Sequence, residues 1–243
     1  MALLPWAPFF WYTFLMRKIA VILYGPPGAG KGTQANLLAH KLDIVHFDTG
    51  RFLEGIVHDP KRQHAKIVRK ERKLFDGGQL MTPSFVTGEV IREAERMAHA
   101  DEGLVFSGSP RTMYEAEREY PILEKLYGKK NIYIFVLEVP EGHSMKRNSA
   151  RMVCESCGYL LLTAFYPAKN AKHCPVCGGK FYKRSLDNPK VIKVRLKEYE
   201  ERTLPILQFL KKKKYHVTHL DARPAPYKVM ERIYAHIEER GRH

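Results

Sequence analysis

The string Gly25-Pro26-Pro27-Gly28-Ala29-Gly30-Lys31-Gly32-Thr33 carries the most specific chemistry in this chain. A glycine-rich turn between a strand and a helix lets successive backbone N–H groups converge on one anion, with a helix N-terminus behind it. Lys31 adds a cation able to reach the terminal phosphates of a nucleoside triphosphate. The flanks suit such a turn. Ile19 to Tyr24 is an apolar run that reads as a buried parallel strand, and Gln34 to Leu42 reads as a helix. A merely glycine-rich turn has no need of Lys31 and Thr33 in this order. The string therefore implies a bound nucleotide, with Gly28, Ala29, Gly30, Lys31, Gly32 and Thr33 around its phosphates.

A second chemical signal comes from cysteine. Cys154, Cys157, Cys174 and Cys177 are the four cysteines of the chain and form two Cys-x-x-Cys knuckles separated by sixteen residues. Gly158 and Gly178-Gly179 follow the knuckles and free the backbone to turn its N–H groups toward sulfur. This is the spacing of a tetrahedral Zn²⁺ site. Disulfides fit poorly beside a phosphate loop and no export signal, and a redox pair has no need of a second copy. Four sulfurs close the coordination sphere, so the metal is expected to be structural. Phe165, Tyr166 and Phe181 are expected to pack beside the knuckles.

The loop departs from the general phosphate-loop pattern, which puts Ser or Thr directly after the lysine. Here Gly32 follows, and the hydroxyl comes at Thr33. This variant resembles the loop of nucleoside monophosphate kinases, the adenylate kinase family above all. Further motifs occur in the same order from about Met16 to the C-terminus: Thr49-Gly50, Gly108-Ser109-Pro110-Arg111-Thr112, Arg147 and Arg151 before the cysteines, Arg184 and Arg195 after them.

The resemblance implies an α/β P-loop kinase with a five-stranded parallel sheet flanked by helices. It places the core at 16–150 and 185–243, a helical acceptor-binding insert at about 49–81, and a zinc-stapled lid at 151–184. Residues 1–15 remain as an extension, with Met16 read as the start of the working chain. The implied reaction is ATP + NMP ⇌ ADP + NDP with Mg²⁺, AMP being the default acceptor and GMP the runner-up. By resemblance, Lys31 holds the transferring phosphate, Arg111 the acceptor's phosphate, and Arg147 lies over the adenine of ATP. Arg151, Arg184 and Arg195 close on the phosphates, while Thr49, Gly50, Gly108 and Glu115 belong to the acceptor side. Arginine suits these roles because its planar fork binds phosphate oxygens in pairs and stays charged at any working pH.

The chain also departs from that family. An acidic residue and, three places later, an arginine are expected after Thr49-Gly50, but Arg51 and Glu54 stand there. An aspartate that organises the waters around Mg²⁺ is replaced by Ser107, and an aromatic by Ser109. Only Asp187 remains of an acidic pair, with Leu186 at the other place. Glu115 replaces a glutamine that pairs with adenine. It either reads the acceptor base or closes a capping box with Thr112, and the box ranks first.

The elements needed to position these groups are legible. At 243 residues and 44% hydrophobic content, the chain can bury one core plus an insert. Strands are expected at 18–24, 44–47, 103–107, 131–138 and 216–220, alternating with helices, which calls for a parallel sheet covered on both faces. Thr82-Pro83 and Asn188-Pro189 each read as a capping residue before a first-turn proline. Spacing alone turns Arg195 toward solvent.

The net charge of +15 is spread along the chain. Lys211 to Lys214 is the one basic run, expected at a solvated helix end. No nucleic-acid-binding signature of the usual kinds occurs, and the expected partners are ATP and a nucleoside monophosphate. Ala2 to Leu15 is apolar but too short for a span of about 20 residues, and it lacks the pattern of a secretory signal. A cytoplasmic monomer is expected, with no membrane partner. Two other classes stay open. One is a zinc ribbon gripping nucleic acid through Lys169, Lys172, His173, Lys180 and Lys183. The other is a nucleotide-binding homologue with weak transfer.

Overall fold

The computed structural model describes residues 18–161, 163 and 171–242. The expectations for residues 1–15, Met16, Phe165 and Tyr166 lie outside the described residues. Five parallel strands form the main sheet, in the order β2-β3-β1-β4-β8. They are β1 (Ala20–Tyr24), β2 (Val45–Phe47), β3 (Leu104–Phe106), β4 (Ile132–Glu138) and β8 (Val217–Asp221). All five lie inside the expected stretches to within a residue, and the inner three, β3, β1 and β4, are buried on both faces and so apolar at nearly every position.

Side chains alternate across the sheet, as the two-residue period of a strand requires. Ala20, Ile22 and Tyr24 of β1 face one core, with Phe106, Ile134, Tyr120 and Leu210. That layer holds α2 (Thr49–His58), α4 (Pro83–His99), α5 (Met113–Tyr127) and α8 (Leu204–Lys212). Val21 and Leu23 face the opposite core, where α1 (Lys31–Leu42) and α9 (Pro226–Arg240) bury Ala35, Leu38, Val229 and Ile233. The sheet order places the topological switch between β1 and β3, so a crevice opens at their carboxyl ends.

Two segments flank that crevice. α2 and α3 (Lys66–Asp76) form a helical pair. Beyond α6 (Glu141–Ala150), a three-stranded antiparallel sheet, β6-β5-β7, carries the cysteines, and the chain returns through α7 (Pro189–Glu198). Its strands are β5 (Met152–Cys154), β6 (Leu160–Leu161) and β7 (Phe181–Tyr182).

The caps divide into one that behaves as expected and one that does not. The Asn188 side chain accepts from Lys190 N and starts α7 at Pro189. Thr82 precedes Pro83 as expected, but its hydroxyl does not cap α4. Both its N–H and its hydroxyl donate to Glu71, a fully buried carboxylate that ties α3 to α4. Lys211 to Lys214 is exposed at the end of α8. No helix among the described residues is long and apolar enough to cross a membrane.

Candidate functional site

The phosphate loop leaves β1 and wraps the amino end of α1. Gly25, Gly28 and Gly30 all have positive φ. At Gly28 the need for glycine is steric as well. With φ at +79°, a Cβ there would stand 2.5 Å from Asn148 Nδ2 on α6. The Ser144 hydroxyl of the same helix donates to the carbonyl of Pro27. α6 is thus seated directly on the loop.

A cleft of about 550 Å³ opens above it. All six predicted phosphate-loop residues line it, together with Gly50, Gly108, Arg111, Arg147, Arg151, Arg184 and Arg195. Segments far apart in sequence therefore converge on one space. Arg195 corrects the expectation from spacing, since it points inward and donates to Leu186 O. Burial and the charges of Arg111, Arg151 and Arg184 push its pKa down to about 9. Lys31 donates to the carbonyls of Gly25 and Pro26 at 2.6 and 2.9 Å. Burial, followed by Arg111, Arg195 and Arg151, lowers its pKa well below the usual lysine value. Burial also lowers that of Arg111. Cations gathered this closely repel one another, and a polyanion bound among them relieves the repulsion.

Their supports are specific. Arg151 forms a two-pronged pair with Asp187, Nε lying 2.8 Å from Oδ2 and Nη2 bonding Oδ1. Five residues wound as a π-turn, Tyr199–Thr203, join α7 to α8 and bring the Thr203 hydroxyl to the carbonyl of Arg111 at 2.9 Å. Arg147 donates to the carbonyls of Ala222 and Arg223.

Two predicted acceptor-side residues do not line the cleft. Thr49 is buried behind it, where a Cβ on Gly108 would meet its Cβ at 3.3 Å. Glu115 is only 2% exposed. Its carboxylate accepts from Arg111 N at 2.6 Å and from the Thr112 hydroxyl at 3.0 Å, while Glu115 N donates to Thr112 Oγ1. The cap is present, shifted so that Glu115 holds the backbone of Arg111.

Glu119 lies beneath the same turn. Its two oxygens receive the Ser109 hydroxyl at 3.0 and 2.9 Å, with the Ser109-Pro110 peptide in the cis form. Burial first, then the charge of Glu115, raises its pKa well above the ordinary glutamate value. A carboxyl that holds its proton more tightly folded than unfolded stabilises fully below the unfolded pKa. That contribution drains away as pH rises from about 4.5 toward the folded value. Glu119→Gln is expected to flatten this decline and to raise the Tm at pH 8 by about 2–4 °C. Thermal melts from pH 5 to pH 8 check it, and parallel curves for the two proteins would refute it.

Several cleft residues were not singled out from sequence. Asp48 caps α2 by accepting from Arg51 N and lines the cleft beside the loop. An Asp between a strand and a Thr-Gly helix start was a usable signal. His46 bonds Asn36 Oδ1 through Nδ1 at 2.6 Å and Ser107 Oγ through Nε2 at 2.8 Å. Burial lowers its pKa, favouring the neutral ring.

The four cysteine sulfurs lie within 4.8 Å of one another, with Cys154–Cys177 at 3.5 Å and Cys157–Cys174 at 3.7 Å. A tetrahedron with Zn–S bonds of about 2.3 Å has edges of roughly 3.8 Å, so the donor set fits zinc. All four are free of disulfides. Backbone N–H groups of Cys157 and Ser156 point at the Cys154 sulfur and lower its pKa, as suits a metal-binding thiolate, while the neighbouring sulfurs push that of Cys157 up. Gly179 approaches Ser156 and Cys154 so closely that a Cβ would clash.

A phosphate loop at the switch point, ringed by arginines and faced by the Gly108 to Thr112 turn after β3, is the site of a nucleoside monophosphate kinase, a phosphotransferase. The family model described as adenylate kinase matches residues 23–215. The chain belongs to the adenylate kinase family. It is 32% identical to an adenylate kinase of Caldicellulosiruptor bescii over 79% of this chain and 87% of the relative. It is 34% identical to one from Methanocella arvoryzae, over 79% of this chain and 86% of the relative. The figure is also 34% for one from Staphylococcus aureus, over 79% and 87%.

Proposed function

We propose that this kinase transfers the γ-phosphoryl group of ATP to AMP, giving two ADP. The observation that carries it is the convergence of Lys31, Arg111, Arg151, Arg184 and Arg195 on one cleft with the phosphate loop. Donor and acceptor are both anions, and the acceptor phosphate is its own nucleophile. The protein therefore has to neutralise charge, align the two phosphates and exclude water. Gly28 to Thr33 would cradle the donor phosphates with Lys31 on the transferring group, and Arg147 would lie at the adenine end. Arg111, Gly50, Gly108, Arg184 and Arg195 would receive the acceptor's phosphate, and Arg151 would close on the phosphates of ATP.

Two metals accompany this assignment. Mg²⁺ prefers oxygen donors and keeps several waters. Asp48, Thr33 and Ser107 supply oxygens at the cleft wall, and the ion would neutralise charge on the ATP phosphates. Zn²⁺ would be held by Cys154, Cys157, Cys174 and Cys177 and would fix the shape of residues 151–184, which act as a lid.

A coupled assay for diphosphate formation, run with ATP and each of AMP, GMP, CMP and UMP, tests the assignment. AMP is expected to give the highest kcat/KM, and turnover with none of the four would refute it. The same assay examines Glu115. Its carboxylate is spent on Arg111 N and Thr112, so Glu115→Gln is expected to leave the AMP-to-GMP ratio within about twofold. A larger shift would return base recognition to this residue and strengthen GMP as the acceptor.

A further inference from the structure

One ion pair in the cleft has no part in the assignments above. Glu54 lies on α2 and Arg184 just beyond β7, and Arg184 Nη2 donates to Glu54 Oε2 at 2.9 Å. Both side chains line the cleft and stay in touch with water, 24% exposed for Arg184 and 36% for Glu54. Three residues earlier on α2, Arg51 reaches across to the cysteine-bearing segment. A Cβ on Gly158, whose φ is +72°, would stand 2.8 Å from its guanidinium. Arg184 is close enough to Arg111 and Arg195 that its charge lowers the pKa of both.

We propose that Glu54 is a built-in competitor for the acceptor's phosphate. It holds Arg184 until a nucleoside monophosphate displaces it, and so sets acceptor affinity. The inference rests on the cleft being a nucleotide-to-nucleotide transfer site. A carboxylate accepts the same N–H groups that a phosphate oxygen would take, and a guanidinium bound to Glu54 cannot offer that edge to phosphate. Every acceptor that engages Arg184 must first pull it away. The freed carboxylate would then lie beside a phosphate dianion, unless it turns to Arg51, which shares its face of the helix at a spacing of three. Glu54 thus weakens binding of phosphate monoesters at the acceptor side without touching the donor side, and Arg51 gives it somewhere to go.

The test is Glu54→Gln, with AMP as the probe, read by calorimetric binding and by steady-state kinetics. Both Kd and KM for AMP are expected to fall roughly fivefold, the population ratio a part-exposed ion pair can maintain. The KM for ATP should not move, and kcat should stay within about twofold. In an Arg184→Met background, Glu54→Gln should leave AMP affinity unchanged, since the competition runs through that arginine. No gain in AMP affinity for Glu54→Gln, or an equal gain without Arg184, would overturn the proposal. A wild type that binds AMP but makes no ADP would instead sink the functional assignment, and the calorimetric comparison would still decide the role of Glu54.

Discussion

Lys31→Met is expected to lower kcat about a thousandfold while leaving the fold intact. Removing a single preorganised donor from a developing anion already costs that much in favourable sites, and Lys31 is the cation of the phosphate loop itself. Its surroundings make the outcome sharper than for a typical catalytic substitution. Lys31 lies half-buried beside Arg111, Arg195 and Arg151, all of which disfavour its charge. Methionine keeps the length of the side chain and removes that repulsion, at the cost of two hydrogen bonds to the carbonyls of Gly25 and Pro26. These effects oppose each other, so the Tm should stay within about 3 °C of wild type. Near-normal turnover by a folded Lys31→Met protein would remove the phosphate loop from the mechanism.

The second large effect concerns metal. The purified protein is expected to carry one zinc per chain, and a strong chelator or Cys154→Ser should loosen residues 151–184 before the main sheet. Among the described residues of that segment, Val153, Leu161 and the two inner cysteines, Cys154 and Cys174, are the buried ones, too little to hold three short strands. Metal binding would supply the missing free energy, on the order of 10 kcal/mol for such sites. Hydrogen exchange should show protection lost first around β5 and β7, with activity at moderate temperature partly surviving. Metal analysis finding no zinc, with four titratable thiols in a native preparation, would rule this out.

How far the sequence could be read depended on the range of the interaction. The strands were legible because β1 and β4 are apolar at nearly every position, and the phosphate loop because its glycines and lysine sit in one short string. The Glu115 cap was legible from its spacing to Thr112. What could not be read was pairing at a distance. Glu54 and Arg184 are 130 residues apart, and nothing local in either segment announces the other. Glu71 and Glu119 were missed for a related reason. An acid on a helix is ordinarily solvated, and only the packed structure reveals that Thr82 and Ser109 are waiting for them. Spacing alone would have left Arg195 in solvent for the same reason, because an arginine in a helix gives no sign of the cations it will be packed against, and only the resemblance pointed it inward.

One feature of the small sheet bears on how such a protein could change over time. β5 and β7 are hydrogen-bonded neighbours, with Val153 opposite Tyr182, so the chain enters and leaves the cysteine segment side by side. A segment whose ends meet can be lengthened, shortened or exchanged while the rest of the chain keeps its path, since closing a loop depends only weakly on how long it is. The piece behaves as a cassette plugged in between α6 and α7. Its cysteine cluster can be gained or lost as a unit, independently of the sheet that carries the phosphate loop.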